Sequence, residues 1–198
     1  MRITWLGHAC FLLEQDGYRV VIDPFRDVSV EADMVLCSHG HFDHAHTDGV
    51  TLREGGKNPF TIETVETFHD EEGGTLRGKN TIHILRAGGL KVVPLGDLGH
   101  RLNEEQARKL WDCDVMMVPV GGTYTVDHAG AISAQVWLAP RVTIPMHYRG
   151  ADFGFDNIDT VDEFLRYFAP DDVHRYDTNT LEVTADTPSQ LALLHRPV

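Results

Sequence analysis

Long apolar runs are missing from this sequence. No stretch approaches ~20 consecutive apolar residues, so no membrane-spanning helix is expected. The opening residues, Met1 to His8, carry no apolar segment of the signal-peptide kind. Cysteine is scarce: Cys10, Cys37 and Cys113 are scattered and odd in number. They make no disulfide framework and read as small buried residues of a protein kept in a reducing cytoplasm. Positive charge is short as well, with 17 Lys and Arg against 30 Asp and Glu and a formal net charge of −13. A nucleic-acid partner would have to bind against that field, so a small-molecule partner is expected instead. Low-complexity tracts, Pro-rich linkers and repeats are absent, and 198 residues fit one domain spanning 1–198 with room for a sizeable core.

What the sequence has in excess is histidine, 12 in all. Around it runs an ordinary alternation of short apolar segments and turns. Arg2–Leu6, Cys10–Glu14 and Tyr18–Ile22 read as strands, with Asp16-Gly17 as a hairpin turn between the last two. Asp33–Cys37, Thr61–Phe68, Thr81–Ala87 and Leu90–Leu95 continue the strand pattern. The second half changes character. Asn103 to Gln106 has the form of a capping box opening a helix, with Leu110 and Trp111 expected to face inward. Val115–Val120 and Val142–Met146 read as buried strands, Asp127–Ala139 and Asp159–Phe168 as helices, and two or three short strands close the chain. Strands first and alternating helix and strand afterwards fit a sheet-on-sheet core with helices packed outside.

The densest chemical signal is Ser38-His39-Gly40-His41-Phe42-Asp43-His44-Ala45-His46, directly after the apolar Met34-Val35-Leu36-Cys37. Imidazole and carboxylate are the usual ligands of zinc, and they also suit iron, manganese and nickel. The alternative is a histidine-rich surface loop with adventitious metal affinity. Three further polar residues share a positional habit: His69, Asp97 and His147 each follow the end of an apolar run. Residues at strand ends of one sheet system can meet on one rim, where sites are commonly built.

The segment His39-Gly40-His41-Phe42-Asp43-His44 resembles the HxHxDH signature of the metallo-β-lactamase superfamily. The likeness runs along nearly the whole chain, through Leu6-Gly7-His8-Ala9-Cys10-Phe11, Ile22-Asp23-Pro24, Gly96-Asp97-Leu98-Gly99, Pro119 to Thr125, and Ile144-Pro145-Met146-His147-Tyr148. It is nearest to a compact group of Zn-dependent hydrolase-like proteins. The resemblance implies an α+β fold, a four-layer αββα sandwich, with two metal positions. His39, His41 and His69 would hold one ion, Asp43, His44 and His147 the other, and Asp97 would bridge. His69 comes early and stands in an acidic loop, so a plain loop histidine is its alternative. Leu98 departs from the Thr that many relatives carry. Asp97, where some β-lactamases place a Cys ligand, suggests a phosphodiesterase- or lactonase-like site.

Around these positions, His8 is expected near the rim as a substrate contact or support for a ligand, or else as a structural histidine. Tyr124 and Tyr148 would donate to a developing oxyanion or be partly buried aromatics. Arg149 would pair with an anionic substrate group or be solvated. Asp48, Asp70 and Asp127 are the sequence neighbours placed to accept N–H groups of ligating histidines. His46 and His100 are expected outside the ligand set, and His83, His128, His174 and His195 are assigned no function.

The expected reaction is hydrolysis of a small phosphodiester, lactone or related ester. Two divalent ions, zinc foremost with manganese or iron as alternatives, would lower the pKa of water from ~16 towards ~7. Asp43 and Asp97 would orient that water and take its proton. Competing readings are a di-iron redox or oxygenase protein on the same ligands, and a non-catalytic metal-binding module. The acidic surface argues against an RNA-processing role. The short stretch between His44 and His69 argues against a large lid. A homo-oligomer is a reasonable expectation.

Overall fold

The computed structural model describes all residues except Asp27, Pro197 and Val198. The chain opens with a meander, β1 (Arg2–Gly7), β2 (Cys10–Gln15) and β3 (Tyr18–Ile22). Asp16 and Gly17 turn the second hairpin with φ of 51° and 78°, the left-handed pair that matches strand twist. β4 (Val30–Ala32), β5 (Met34–Leu36) and β6 (Val50–Leu52) follow, with a single 3₁₀ turn before β6. β4 and β6 pair only with each other and have no sequence signal, being three residues each.

The second sheet begins with β7 (Thr61–Phe68), β8 (Lys79–Ala87) and β9 (Leu90–Pro94). Two crossovers then run through α1 (Glu104–Leu110) to β10 (Val115–Pro119), and through α2 (His128–Leu138) to β11 (Val142–Met146). A one-turn α3 (Asp162–Leu165) and a 3₁₀ turn lead to β12 (Val173–Arg175), β13 (Thr180–Glu182) and β14 (Gln190–Leu193). The sheets are ordered β13-β1-β2-β3-β5 and β12-β14-β11-β10-β9-β8-β7.

Period-two alternation decides the first sheet. Ile3, Trp5, Phe11, Leu13, Val20 and Ile22 point into a core shared with Ile82, Ile84, Val92 and Met117 of the second sheet. The intervening Cys10, Leu12 and Val21 form a second apolar cluster with Val28 and Ala32 on the opposite face. β9, β10 and β11 are buried at every position, as parallel strands covered on both faces must be. Their outer cover comes from Ala107 and Leu110 of α1, Ala131, Ala134 and Leu138 of α2, and Phe164 of α3. The result is the expected α+β sandwich. Its layer over the first sheet is built from the segment around β4 and β6, not from a long helix.

The α1 start follows its sequence. The Asn103 side chain accepts from Gln106 N–H while the Gln106 side chain accepts from Asn103 N–H, worth ~1 kcal/mol. The end of α1 corrects one expectation. Trp111 takes extended ψ of 150° as the C-cap, leaves the helical spiral and stands 57% exposed, while Leu110 before it is fully buried. Lys91 Nζ reaches the carbonyls of Lys109 and Trp111 at 3.1 and 2.5 Å and closes that helix end.

Candidate metal centre

Within each sheet, β1, β3, β5, β7, β9 and β11 run the same way. Their carboxyl ends deliver His8, Asp23, the His39 loop, His69, Asp97 and His147 to one rim. Such a rim of parallel strand ends is where sites form in sheet proteins. The side chains meet in clusters whose ligand atoms lie within 4.8 Å of one another. One holds His39, His41 and His69, another His8, Asp43, His44 and His147, and a third joins His39 and His44 to Asp97.

Asp97 stands between the clusters. Its Oδ1 is 3.2 Å from His44 Nε2, and its Oδ2 is 3.1 Å from His69 Nε2 and 3.4 Å from His147 Nε2. It is 1% exposed. The adjoining backbone is pressed close: a Cβ on Gly96 would sit 2.5 Å from Ser38 Cβ, and one on Gly99 would sit 2.2 Å from the His69 carbonyl carbon. Asn80 anchors the turn, accepting from Asp97 N–H at 2.9 Å and donating to Leu95 O at 2.9 Å and Thr67 Oγ1 at 2.8 Å. Asn80 carried no signal in the sequence, because it lies within a strand far from any ligand in the chain.

Supporting contacts orient the rings. His69 Nδ1 lies 3.0 Å from the Tyr124 carbonyl, which can only accept, so the proton sits on Nδ1 and Nε2 is left facing Asp97. His39 Nδ1 pairs with Ser38 Oγ at 2.9 Å. His44 Nδ1 faces Asp23 Oδ2 at 3.2 Å, and Asp23 Oδ1 accepts from Ser38 N–H at 2.6 Å. Asp23 replaces the three aspartates expected to support ligands. Asp48 is exposed and 4.0 Å from His46, Asp70 takes the N–H groups of its own loop, and Asp127 caps α2 through Gly130 N–H. Asp23 was legible in principle, since it too follows an apolar run.

Several nitrogens and oxygens of this cluster are buried without a hydrogen-bond partner, among them His8 Nε2, His39 Nε2, His44 Nε2 and Asp97 Oδ1. Native proteins seldom leave such groups unpaired. The ligand atoms of each cluster lie within 4.8 Å of one another, near enough for small side-chain movements to bring them onto one ~2.1 Å coordination sphere. The donor set therefore fits divalent metal. Electrostatics agree. Burial, with His44 and His69 as neighbours, pushes His39 down to about 4 despite Asp97. Burial would raise Asp43, but His8 and His44 bring it down to about 2. Asp97 is held well below the usual carboxylate range by His147 and His44, again against burial.

Of the neighbouring residues, Tyr124 lines a cleft of about 520 Å³ with Asp70, Arg77, Gly99, Arg101 and Thr125. Its hydroxyl accepts from Asn157 Nδ2 at 2.8 Å and its ring lies beneath the Arg77 guanidinium. Tyr148 is buried against Trp5 and Phe153, and burial pushes its phenol up, so it belongs to the aromatic core. Arg149 Nε donates to Ile158 O at 2.7 Å and ties down the following loop. His46 and His100 stand outside all three clusters. Phe42, within the ligand loop, is 70% exposed, and His41 beside it is exposed, so the centre opens to solvent on this side.

A family model described as a beta-lactamase superfamily domain matches residues 2–147. The chain is 33% identical to a UPF0173 metal-dependent hydrolase of Archaeoglobus fulgidus, covering 75% of this chain and 83% of the relative. A metal-dependent hydrolase of Carboxydothermus hydrogenoformans is 29% identical over 75% of this chain and 84% of its own. Among solved structures, a proposed zinc-dependent hydrolase of the metallo-β-lactamase superfamily from Thermotoga maritima superposes with a TM-score of 0.78. It is 37% identical, and 98% and 97% of the two chains are covered.

Proposed function

The chain belongs to the metallo-β-lactamase superfamily as a metal-dependent hydrolase, and from that premise we propose a dinuclear centre, zinc in the first instance, acting on a small phosphodiester or lactone. The observation that carries this is Asp97, whose Oδ1 lies 3.2 Å from His44 and whose Oδ2 lies 3.1 Å from His69 and 3.4 Å from His147, with Oδ1 buried and without a hydrogen-bond partner. His39, His41 and His69 would hold the first ion, Asp43, His44 and His147 the second, and Asp97 would be shared by both. When bound, two such ions supply Lewis acidity and water of lowered pKa.

The chain's own groups do the rest. Asp43, 16% exposed at its side chain and ionised at neutral pH, orients a water at the open side and accepts its proton at a carboxylate oxygen. Asp97 orients from the buried side. Tyr124 lines the neighbouring cleft and its backbone carbonyl holds His69 Nδ1. Arg77 and Arg101 line that cleft together with the carboxylates of Asp70, Glu71, Glu72 and Asp127, so its lining is of mixed charge. The exposed Phe42 supports an open, accessible site. Free buried thiols at Cys10 and Cys113 agree with a reducing cytoplasm.

The test is metal content of freshly purified protein, followed by chelation and reloading with phosphodiesters, lactones and thioesters as substrates. About two equivalents of zinc or manganese, and turnover that follows the metal, are expected. Predominant iron that changes oxidation state would turn the reading towards redox chemistry. Less than one equivalent of any metal would end it.

A further inference from the structure

We propose that His8 is itself a ligand of the second ion, alongside Asp43, His44 and His147. The inference rests on the dinuclear reading and adds a residue to it. His8 Nε2 is buried and has no hydrogen-bond partner, and it lies in one cluster with the ligand atoms of those three residues. Its ring centroid is 4.2 Å from that of His147 and 5.2 Å from that of His44, with the edges of Phe25 and Phe155 closing the other sides.

Distance separates a ligand from a mere hydrogen-bond donor. His8 Nε2 is 3.4 Å from Asp43 Oδ2. A charge-assisted N–H···O⁻ bond is shorter, ~2.7–2.9 Å. Two ligands sharing one five-coordinate ion at ~2.1 Å stand ~3.0 Å apart at a right angle and ~3.6 Å apart at ~120°, and the observed separation lies between.

The backbone is also built for the purpose. His8 and His147 both adopt left-handed φ, 51° and 52°. Such conformations are costly in non-glycine residues and persist only where the surroundings over-determine them. Here they are locked together. His147 N–H donates to His8 O at 3.2 Å, and Trp5 Nε1–H donates to the same carbonyl at 3.1 Å. The strained turn between β1 and β2 thus holds the His8 imidazole at the His147 end of the centre.

The consequence is an unequal pair of sites. The first has His39, His41, His69 and Asp97, and the second has His8, Asp43, His44, His147 and Asp97. The extra ligand makes the second site better suited to a metal of high coordination number, such as manganese or iron, than to tetrahedral zinc.

The experiment loads the metal-free protein with Co(II) and counts exchangeable, hyperfine-shifted imidazole N–H signals by proton NMR. A parallel calorimetric titration measures both affinities. The wild type is expected to bind two Co(II) and show six such signals, from His8, His39, His41, His44, His69 and His147. His8→Asn, which tolerates positive φ but cannot reach the ion, is expected to show five. It should also weaken the second Co(II) by about 100-fold or more, beyond the 10–100-fold range of an outer support, and leave the first unchanged. Two Co(II) with five signals in the wild type overturns the assignment of His8 alone, whether or not the variant folds. Two ions bound at unchanged affinities in a folded His8→Asn does the same. Fewer than two Co(II) in the wild type overturns the dinuclear reading and this inference with it.

Discussion

Asp70 and Asp97 are both buried aspartates near His69, and their surroundings are opposites. Asp70 accepts four backbone N–H groups, from Glu72, Gly74, Leu76 and Arg77, at 2.7 to 3.1 Å. Asp97 keeps Oδ1 without a hydrogen-bond partner and faces His44, His69 and His147. A satisfied carboxylate folds a loop, whereas an unsatisfied one surrounded by imidazoles is held for something that is not protein. Burial alone does not tell the two apart, but the inventory of partners does.

The largest expected effect is on Asp97. Asp97→Asn should reduce bound metal from about two equivalents to fewer than one and abolish hydrolysis. The melting temperature of the metal-free protein should fall only slightly at pH 7, since the variant loses the favourable field of His147 and His44 on the carboxylate but breaks no backbone turn. Elemental analysis and a thermal melt on the same sample read both. A large drop in the metal-free Tm would make Asp97 a folding residue like Asp70.

Asn80→Ala comes next. It strands Asp97 N–H and Leu95 O in the core, each a loss of ~1–3 kcal/mol if left unpaired, and leaves Thr67 Oγ1 with only its bond to the carbonyl of residue 80. Denaturant unfolding should show several kcal/mol lost together with weakened metal binding, because this residue serves both ends of the comparison. Asp23→Asn should weaken metal 10–100-fold, roughly the effect of losing an outer support, with Ser38 N–H as the other contact disturbed. A titration showing unchanged affinity would remove Asp23 from the centre.

Asp70→Asn should lower Tm by several degrees and leave metal affinity unchanged. Its pH behaviour has a definite sign. Backbone N–H donors hold Asp70 below its ordinary 3.8 against burial, so its contribution is present above that pH and is lost as pH falls through the lower folded value. The Tm gap between wild type and Asp70→Asn should therefore be full at pH 7 and close only below about pH 4. A gap that closes near pH 6 would implicate histidines instead.

Much of this was legible beforehand for reasons that differ by element. β1 to β3 announced themselves because alternating apolar residues and Asp16-Gly17 are local signals. The capping box at Asn103 and Gln106 is contained within four residues. The ligand cluster from His39 to His44 was visible because its chemistry is concentrated in one turn. β4 and β6 were not, since three-residue strands carry no period. Trp111 was misplaced because spacing marks a helix face but not the residue at which the helix stops. Asp48, Asp70 and Asp127 were reasonable supports by adjacency, but Asp48 is exposed to solvent and the other two are engaged elsewhere.

By itself, the sequence determined the residue types of the centre, the alternation that makes one sheet face buried, and the turns that join the strands. These depend on neighbours a few positions apart. Only the tertiary structure decided that Asp23 rather than Asp70 stands behind His44, that Asn80 carries Asp97, and that His8 closes on His147. Each of those facts joins strand ends from distant parts of the chain, and side-chain partnership across such distances is set by how two sheets pack, not by the order of residues along either one.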